Sequence, residues 1–520
     1  MKMNNILKYF LVGGVAVTMM SSCDLNLKPT GSIPYEEGTA LFLTQADIDA
    51  YQNAVLASYR AVQYGVYTQA SEVMCDGFNA TADYGNNYGA IHRVDNTFTP
   101  GDTDAESMWA GHYSVIKNYN IAIANSHPDL VDDDLQPSAN ILRGIALFCR
   151  ASSYLTLTRH YGNAYNPATA ETDLSVPLVL VYDQLAKPAR ASVQAVYNQI
   201  IADLDEAEDL LAEAADAGKT LTIAGVKTNL AGQARAAVPT VDAVRALKAR
   251  YYLDVKDYEQ AAGYAEDVIA SGNYELANDS AKMDAEYTND LGKEPIVQLY
   301  ASMKEGQVGN TLFTLVGNDE GHGKYFSPYF LPSSLLVNAY DPTDLRFAKW
   351  FTNSLYDVKM TGTYHPGIYV FTKYLDNPAL HEGSVETGAH AAKPLLISEM
   401  YLIAAEAYAQ AGDAASAQSI LNELQQARKA VNTTGTLDNI KKEWFRETVG
   451  EGLRLSCIKR WGDGLAVRKE QAGAINLIMT GPNFNERALA ANAHVLNWPV
   501  PSYEIKLNSN LVQNNGYTAE

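Results

Sequence analysis

A mainly α fold, with a tetratricopeptide-like scaffold of helical hairpins packed against a loop-rich variable half carrying a few short strands, is predicted by three features of the sequence. Apolar residues in the first half recur at helical spacing, two distant segments share one register of small and large side chains, and prolines between Gly272 and Pro394 interrupt any long helix.

At the N-terminus, Lys2 and Lys8 flank a short charged start, and Tyr9 to Met20 carries no ionisable side chain apart from the Tyr9 phenol. A membrane-spanning helix needs about 20 apolar residues, so this run reads as the h-region of a secretory signal covering residues 1–22. Ser21 and Ser22 then place two small residues before Cys23, as a lipobox does. Cys23 is therefore expected to become an acylated N-terminus that holds the protein to a membrane through its lipid. An ordinary secretory signal with an incidental cysteine is the alternative.

Removing residues 1–22 takes two lysines and no acid from a chain whose net charge is already -21. An acidic surface repels phosphate backbones and anionic headgroups, which argues against nucleic acid as a partner and against peripheral electrostatic binding to membranes. It also tilts against polyanionic substrates, without speaking to a local basic pocket. Besides Cys23 there are Cys75, Cys149 and Cys457, with no CxxC pair and no His at zinc-ligand spacing, so neither a metal nor a cofactor is expected. Cys149 and Cys457 fall in helical patterns as small buried hydrophobes, and one disulfide stays open. No charged or low-complexity linker divides residues 23–520, which read as one unit.

The first helices show their buried faces plainly. Val196, Ile200, Leu204, Ala207 and Leu211 form an apolar stripe, with Asp203, Asp205, Glu206 and Asp209 between them. Ile141, Ile145, Phe148, Ser152 and Leu155 repeat the spacing, and Ala146 and Cys149 offer small neighbours for close packing. Segments 247–269 and 403–424 then match at a constant offset: Ala249 with Ala405, Tyr252 with Tyr408, Ala261 with Ala417, Val268 with Leu424. Small residues where two antiparallel helices touch and larger ones in the gaps are the tetratricopeptide pattern, with Asp257 and Gly412 in the intervening turns. Helical hairpins are expected over about 45–125, 140–212, 241–271 and 395–427, each leaving an apolar side that a neighbour must cover. Between them lies a loop-rich insertion at about 272–394, with short strands such as Ile296 to Tyr300, and a C-terminal motif region follows at 440–520.

The stretches "CDLNLKP", "LRGIALFCRASSYLTLTRHYG", "DLSVPLVL", "DYEQAAGYAEDVIASGNYEL", "LLISEMYLIAAEAYAQAGD", "RETVGEGLRLSCIKRWGDGL" and "LNWPVPSYEIKLNSNLVQNNGY", in this order, resemble the SusD/RagB family across nearly the whole mature chain. Glu451, Gly452, Arg454, Arg460, Trp461 and Gly462 meet one family pattern, while Cys457 stands where Asp is usual, Val500 for Ile and Asn515 for Pro. The resemblance implies a lipid-anchored outer-membrane protein at the cell surface. It would bind oligosaccharide or peptide nutrients and deliver them to a SusC-like TonB-dependent transporter, with no catalysis. Arg454, Arg460 and Trp461 read as scaffold, because buried guanidinium groups need fixed partners.

Enzyme motifs fail on inspection. In "GNDEGHGKY", Gly317 is one residue too far upstream for a phosphate loop and Tyr325 replaces the metal-binding Ser/Thr. His381-Glu382 lacks the second His of a zinc protease, and "DLVDDDLQP" lacks the turn Gly and terminal Glu of a calcium loop. Two alternatives stay open: a surface glycoside hydrolase whose carboxylate pair forms only on folding, and a tetratricopeptide-like protein-interaction scaffold.

A sugar presents an apolar ring face and many hydroxyls, so its site needs exposed aromatics beside amides, carboxylates or Arg. "CDGFNATADYGNNYGAIHRVDNTF", expected as a loop between two helices, supplies Tyr84, Asn86, Asn87, Tyr88, His92, Arg93 and Phe98. The resemblance favours it, since the family's loop between the first two helices helps form the ligand surface. "GHGKYFSPYF" supplies Tyr325, Tyr329 and Phe330 as a second candidate, with packing of loop aromatics onto the scaffold as the alternative for both. Trp109, in a helical pattern, is expected in the core.

Overall fold

Ser, Thr and Asp residues at helix starts set the frame of the computed structural model, because their side chains satisfy N–H groups that the first helical turn leaves without partners. The structure describes residues 40–183, 185–217 and 237–518, apart from residues 304–307, 310–311, 314–315, 320, 322, 354, 358–361 and 384–385. The chain divides into Met1–Leu41 and a compact unit, Phe42–Glu520. Cys23 and the signal segment 1–22 lie outside the described residues.

The scaffold begins with α1 (Gln45–Ala61), α2 (Val66–Met74), α3 (Gly89–Arg93), α4 (Thr103–Asn125), α5 (Gln136–Tyr161) and α6 (Val193–Asp216). Thr44 and Asp47 form a reciprocal capping box on α1, Asp102 caps α4 and Ser192 caps α6. α5 and α6 pack side by side, and Arg150 on α5 reaches Asp203 on α6 through paired bonds of 2.8 and 2.7 Å. Trp109 is buried on α4, as its helical setting implies.

α7 (Val241–Val255) and α8 (Tyr258–Ala270) form the next hairpin. The variable half follows with α9 (Ser280–Tyr287), α10 (Ser334–Val337) and α11 (Leu345–Trp350) among short strands. α12 (Ile397–Ala411), α13 (Ala414–Ala427), α14 (Leu437–Glu447), α15 (Arg454–Trp461) and α16 (Ser502–Leu507) complete the helices used below.

The internal repeat extends to single hydrogen bonds. Asp257 donates its N–H to Tyr252 O at 3.0 Å and caps α8; Asp413 donates to Tyr408 O at 2.9 Å and caps α13. Ala249, Ala261, Ala405 and Ala417 are fully buried, and α8 packs along α12. The turn needs one residue in the left-handed region, met by Gly412 (φ 86°) in one copy and by Lys256 (φ 66°) in the other. Glycine adopts it at no steric cost, and lysine does not.

Short strands pair across the variable half: β1 (Phe78–Ala80) with β6 (Phe330–Pro332), β2 (Pro295–Val297) with β12 (Leu395–Leu396), β3 (Val308–Gly309) with β11 (Ala389–His390), and β7 (Phe351–Thr352) with β10 (Val370–Phe371). β4 (Val316–Asp319), β5 (Gly323–Phe326), β8 (Leu355–Asp357) and β9 (Thr363–His365) make a four-stranded sheet in that order. The strand expected at Ile296 to Tyr300 starts at Pro295 and stops at Val297, where its antiparallel partner runs back from Leu395 into Pro394, a residue with no N–H to donate. Residues 76–98, expected as a loop, contain β1 and α3. The strand depends on a partner some 250 residues away, and five residues of helix are too few to show a 3.6-residue period.

Scaffold and variable half meet in an aromatic core that includes Phe78, Phe313, Phe330, Trp350, Phe351 and Phe371, with Val73 and Phe445 from the helices and Val449 from the turn after α14. Beside it runs a buried ion network. Arg346 bonds Asp344, Glu443 (2.6 Å) and Glu447 (2.7 Å), and Arg428 bonds Glu294 (2.6 Å) and Glu447 (2.5 Å). Arg454 bonds Asp76 at 3.0 Å, while Arg460 and Trp461 both bond Glu406, so these motif residues lock α15 to its neighbours. Cys457, in the place of an Asp, lies buried with Sγ 3.7 Å from Arg460 Nη2. Cys75, Cys149 and Cys457 are all free thiols.

Candidate functional site

Three segments far apart in sequence meet at one edge of the aromatic core. β1 pairs with β6; Thr81 then donates its N–H to Tyr329 O at 2.9 Å, and Ala82 donates to Leu477 O at 2.9 Å. Met479 donates to Ala80 O at 2.9 Å, which binds the 477–484 segment to the same strand. The two stretches singled out in the sequence are thus neighbours, and a third, "LIMTGPNF", joins them.

The loop that follows β1 is held in an unusual backbone shape. Asn86, Tyr88 and Val94 have φ between 49° and 59°, and Gly85 has 62°. The three non-glycine positions cost about 1–3 kcal/mol each and persist only where the surroundings over-determine them. Here Arg93 does so: its Nη1 donates to Asn86 Oδ1 (2.7 Å) and to the Tyr84 hydroxyl (2.9 Å), and its Nε donates to Asp95 (2.7 Å). Burial works against the Arg93 guanidinium, but Asp95 and Tyr84 more than offset it and its pKa rises. Gly89 has no room for a side chain, since a Cβ there would lie 2.0 Å from Asn86 Oδ1.

Tyr88, Tyr329, Met479 and Phe484 are each partly exposed and pack on this one core. Burial, with the nearby Asp104 charge, pushes the Tyr88 phenol up to about 12, so it stays protonated and can donate. Asn87 spends its amide N–H on Tyr84 O (2.6 Å) and Asn86 its carbonyl on Arg93, which leaves Asn87 Oδ1 and Asn86 Nδ2 without a hydrogen bond among the described residues. Against the upward push of burial, Thr97 and Arg93 hold Asp95 below the usual carboxylate range, which makes it a poor proton donor. Ring faces beside amides and a fixed guanidinium can bind a polyhydroxylated ligand.

Three candidates from this stretch need correction. Tyr84 (7% exposed), His92 (0%) and Phe98 (3%) are packing residues and present no ring to solvent. Tyr84 packs edge-on against Phe330 and Phe484, His92 edge-on against Phe330 and tilted against Phe484, and Phe98 packs between Trp498 and Tyr517. His92 is buried beside Arg468 and Arg487, and burial with those charges holds its ring neutral. The residues that cover them come from distant segments, so their burial left no local trace. Met479 and Phe484 were missed for the same reason.

Tyr325 and Tyr329 part company. Tyr329 precedes β6 beside the strained loop, whereas Tyr325 lies on β5 with its ring over Gly317. There it starts a row of rings across the sheet, 5.6 Å to Tyr356 and 4.6 Å from Tyr356 to the half-exposed Tyr364. Phe330 is fully buried. Among the described residues no group of three or more His, Cys, Asp or Glu could hold a metal ion, and no helix is long and apolar enough to cross a membrane.

The chain matches the family model described as "SusD family" over residues 244–517, and a second described as "Starch-binding associating with outer membrane" over residues 25–235. Solved structures share its fold. A SusD superfamily protein from Bacteroides vulgatus is 22% identical, with a TM-score of 0.71 over 92% of this chain and 100% of the other. One from Bacteroides thetaiotaomicron is 23% identical, with a TM-score of 0.71 over 90% and 99%. A laminarin-binding SusD-like protein is 19% identical, with a TM-score of 0.65 over 92% and 100%. No curated protein matches.

Proposed function

This chain belongs to the SusD family, and from that premise we propose that it is a cell-surface lipoprotein of the outer membrane that binds oligosaccharide and hands it to a TonB-dependent transporter. The surface at the β1–β6 edge carries the reading: three partly exposed rings, Tyr88, Tyr329 and Phe484, lie on a rigid core beside Asn86, Asn87 and Arg93. A preorganised aromatic surface suits a sugar ring, because no ordering cost falls on the protein when the ligand arrives. The name of the model matched over residues 25–235 and the laminarin-binding relative support a glycan over a peptide. Ser21, Ser22 and Cys23 support the lipid anchor.

The test is calorimetry of the mature protein against a panel including starch, laminarin and peptides, with product analysis of each mixture. Binding of a glycan without shortening is expected; release of shortened products would turn the reading to a hydrolase, and binding of peptides alone would move the ligand class. Cys23→Ala should leave the membrane fraction, and a variant that stays there and still incorporates labelled fatty acid would overturn the anchor. Co-purification of the wild type with a barrel transporter tests the partner.

A further inference from the structure

A second cleft, of about 520 Å³, lies where the end of α5, the segment before α6, α15 and the C-terminal strap converge. Its size falls in the range of small-molecule sites, about 300–1,000 Å³. It shares no lining residue with the surface around Tyr88. The C-terminal strap is fixed in place: Asn514 donates to Tyr161 O (2.8 Å) and Trp498 O (2.7 Å), and Trp498 N donates to His160 O (2.8 Å).

Two cations face this cleft in an otherwise acidic protein, and neither forms an ion pair among the described residues. Arg190 is 7% exposed and donates only to carbonyls, of Ser175 (2.5 Å), Val512 (3.0 Å), Leu174 (3.0 Å) and Tyr161 (3.3 Å). Lys459 donates to Arg159 O (2.5 Å) and Gly162 O (2.8 Å). A guanidinium has five N–H donors and an ammonium three, so each retains one. Neither nearby acid pairs with them: Asp173, a carboxylate on the wall, accepts from the Thr169 hydroxyl (2.7 Å), and Asp254, facing Lys459 from α7, is held by Arg159 (2.7 Å) and Arg460 (3.6 Å). Burial consequently pushes Lys459 down to about 7, against Asp254, and Arg190 down to about 10. A buried charge paired only with carbonyls gains more from an anion than an exposed one does, because little water screens it. Around the cations stand the amides of Asn163, Asn492 and Asn515, the last two exposed at the rim.

We propose that this cleft binds an acidic saccharide, its carboxylate facing Arg190 and Lys459 and its hydroxyls meeting Asn163, Asn492 and Asn515. The amides select a sugar over a bare anion, and the cations select a uronic acid over a neutral sugar. The site stands apart from the glycan surface proposed above and can fail without it.

Calorimetry of the mature protein with glucuronic acid, glucose and acetate at about pH 6, where Lys459 is mostly charged, tests it. Glucuronic acid should bind at least about tenfold more tightly than either of the others. Asn492→Asp with Asn515→Asp, which puts repelling charge at exposed positions, should weaken glucuronic acid about tenfold at unchanged melting temperature, while Tyr88→Ala with Tyr329→Ala should leave it unchanged. Equal binding of glucose, equal binding of acetate, no binding of glucuronic acid, or an unaffected Asn492→Asp/Asn515→Asp protein would each overturn the proposal. Lys459→Met, at the half-buried cation, gives a second measurement and should also lose glucuronic acid.

Discussion

Thr81 donates its backbone N–H to the carbonyl of Tyr329 at 2.9 Å, and that bond extends the pairing of β1 with β6 into the start of the strained loop. It sets Tyr329, from the variable half, beside a loop that belongs to the helical scaffold. Exposure then separates the rings open to a ligand from the packing residues on the two sides of this joint.

Tyr88→Ala with Tyr329→Ala should weaken the cognate oligosaccharide by about 1–3 kcal/mol, the scale of lost aromatic contacts, with little change in melting temperature. Tyr84→Ala should behave in the opposite way. Tyr84 is buried and hydrogen-bonded, so its truncation should cost about 2–5 kcal/mol of stability. Calorimetric binding and thermal denaturation on both proteins distinguish the two classes.

Gly89→Ala tests the strained loop. The new methyl would sit 2.0 Å from Asn86 Oδ1 and 2.8 Å from Arg93 Nη1, so the Asn86–Arg93 bond must break or the backbone must move. A loss of about 1–3 kcal/mol is expected from overpacking of this kind. Unchanged stability and unchanged glycan affinity together would mean that the loop relaxes freely.

Lys256→Gly and Gly412→Ala test the repeated turn from both sides. Lys256 carries a left-handed backbone that glycine adopts without penalty, so Lys256→Gly should stabilise by about 0.5–1 kcal/mol and Gly412→Ala should destabilise by about 1 kcal/mol or more. Denaturant midpoints moving in the same direction would break the equivalence of the two hairpins.

His160→Gln tests acid stability. Burial, offset in part by the bond between His160 Nδ1 and Thr156 O, lowers the ring to about 4. An unfolded His titrates near 6.5, so between about pH 6.5 and 4 the unfolded chain binds the extra proton. The stability of the neutral ring is fully present above that window and lost as pH falls through it. Relative to His160→Gln, the wild type should lose on the order of 3 kcal/mol from pH 7 to pH 4. The difference between the two proteins isolates this group from Glu72, which burial raises to about 7 and which acts in the opposite direction. A parallel pH dependence in both proteins would place the acid response elsewhere.

The helical scaffold was legible because its signal is local. Ala261 and Ala417 declare a close helix contact through spacing within one hairpin, and Tyr252 and Tyr408 mark the same turn, so the fold class and the repeat follow from patterns a few residues long. The aromatic composition of residues 84–98 and 325–330 was equally visible. Which of those rings face solvent was not, because exposure is set by residues far away in the chain. Phe330 and Phe484 cover Tyr84 and His92, Trp498 and Tyr517 cover Phe98, and Tyr88 and Tyr329 remain partly open. The sequence by itself determined the long scaffold helices, the repeated hairpin and the residue types available for binding. Only the tertiary structure decided which of them are surface and which cations lack an acid partner, since burial and charge pairing are properties of contacts between segments, and those contacts exist only once the chain has closed on itself.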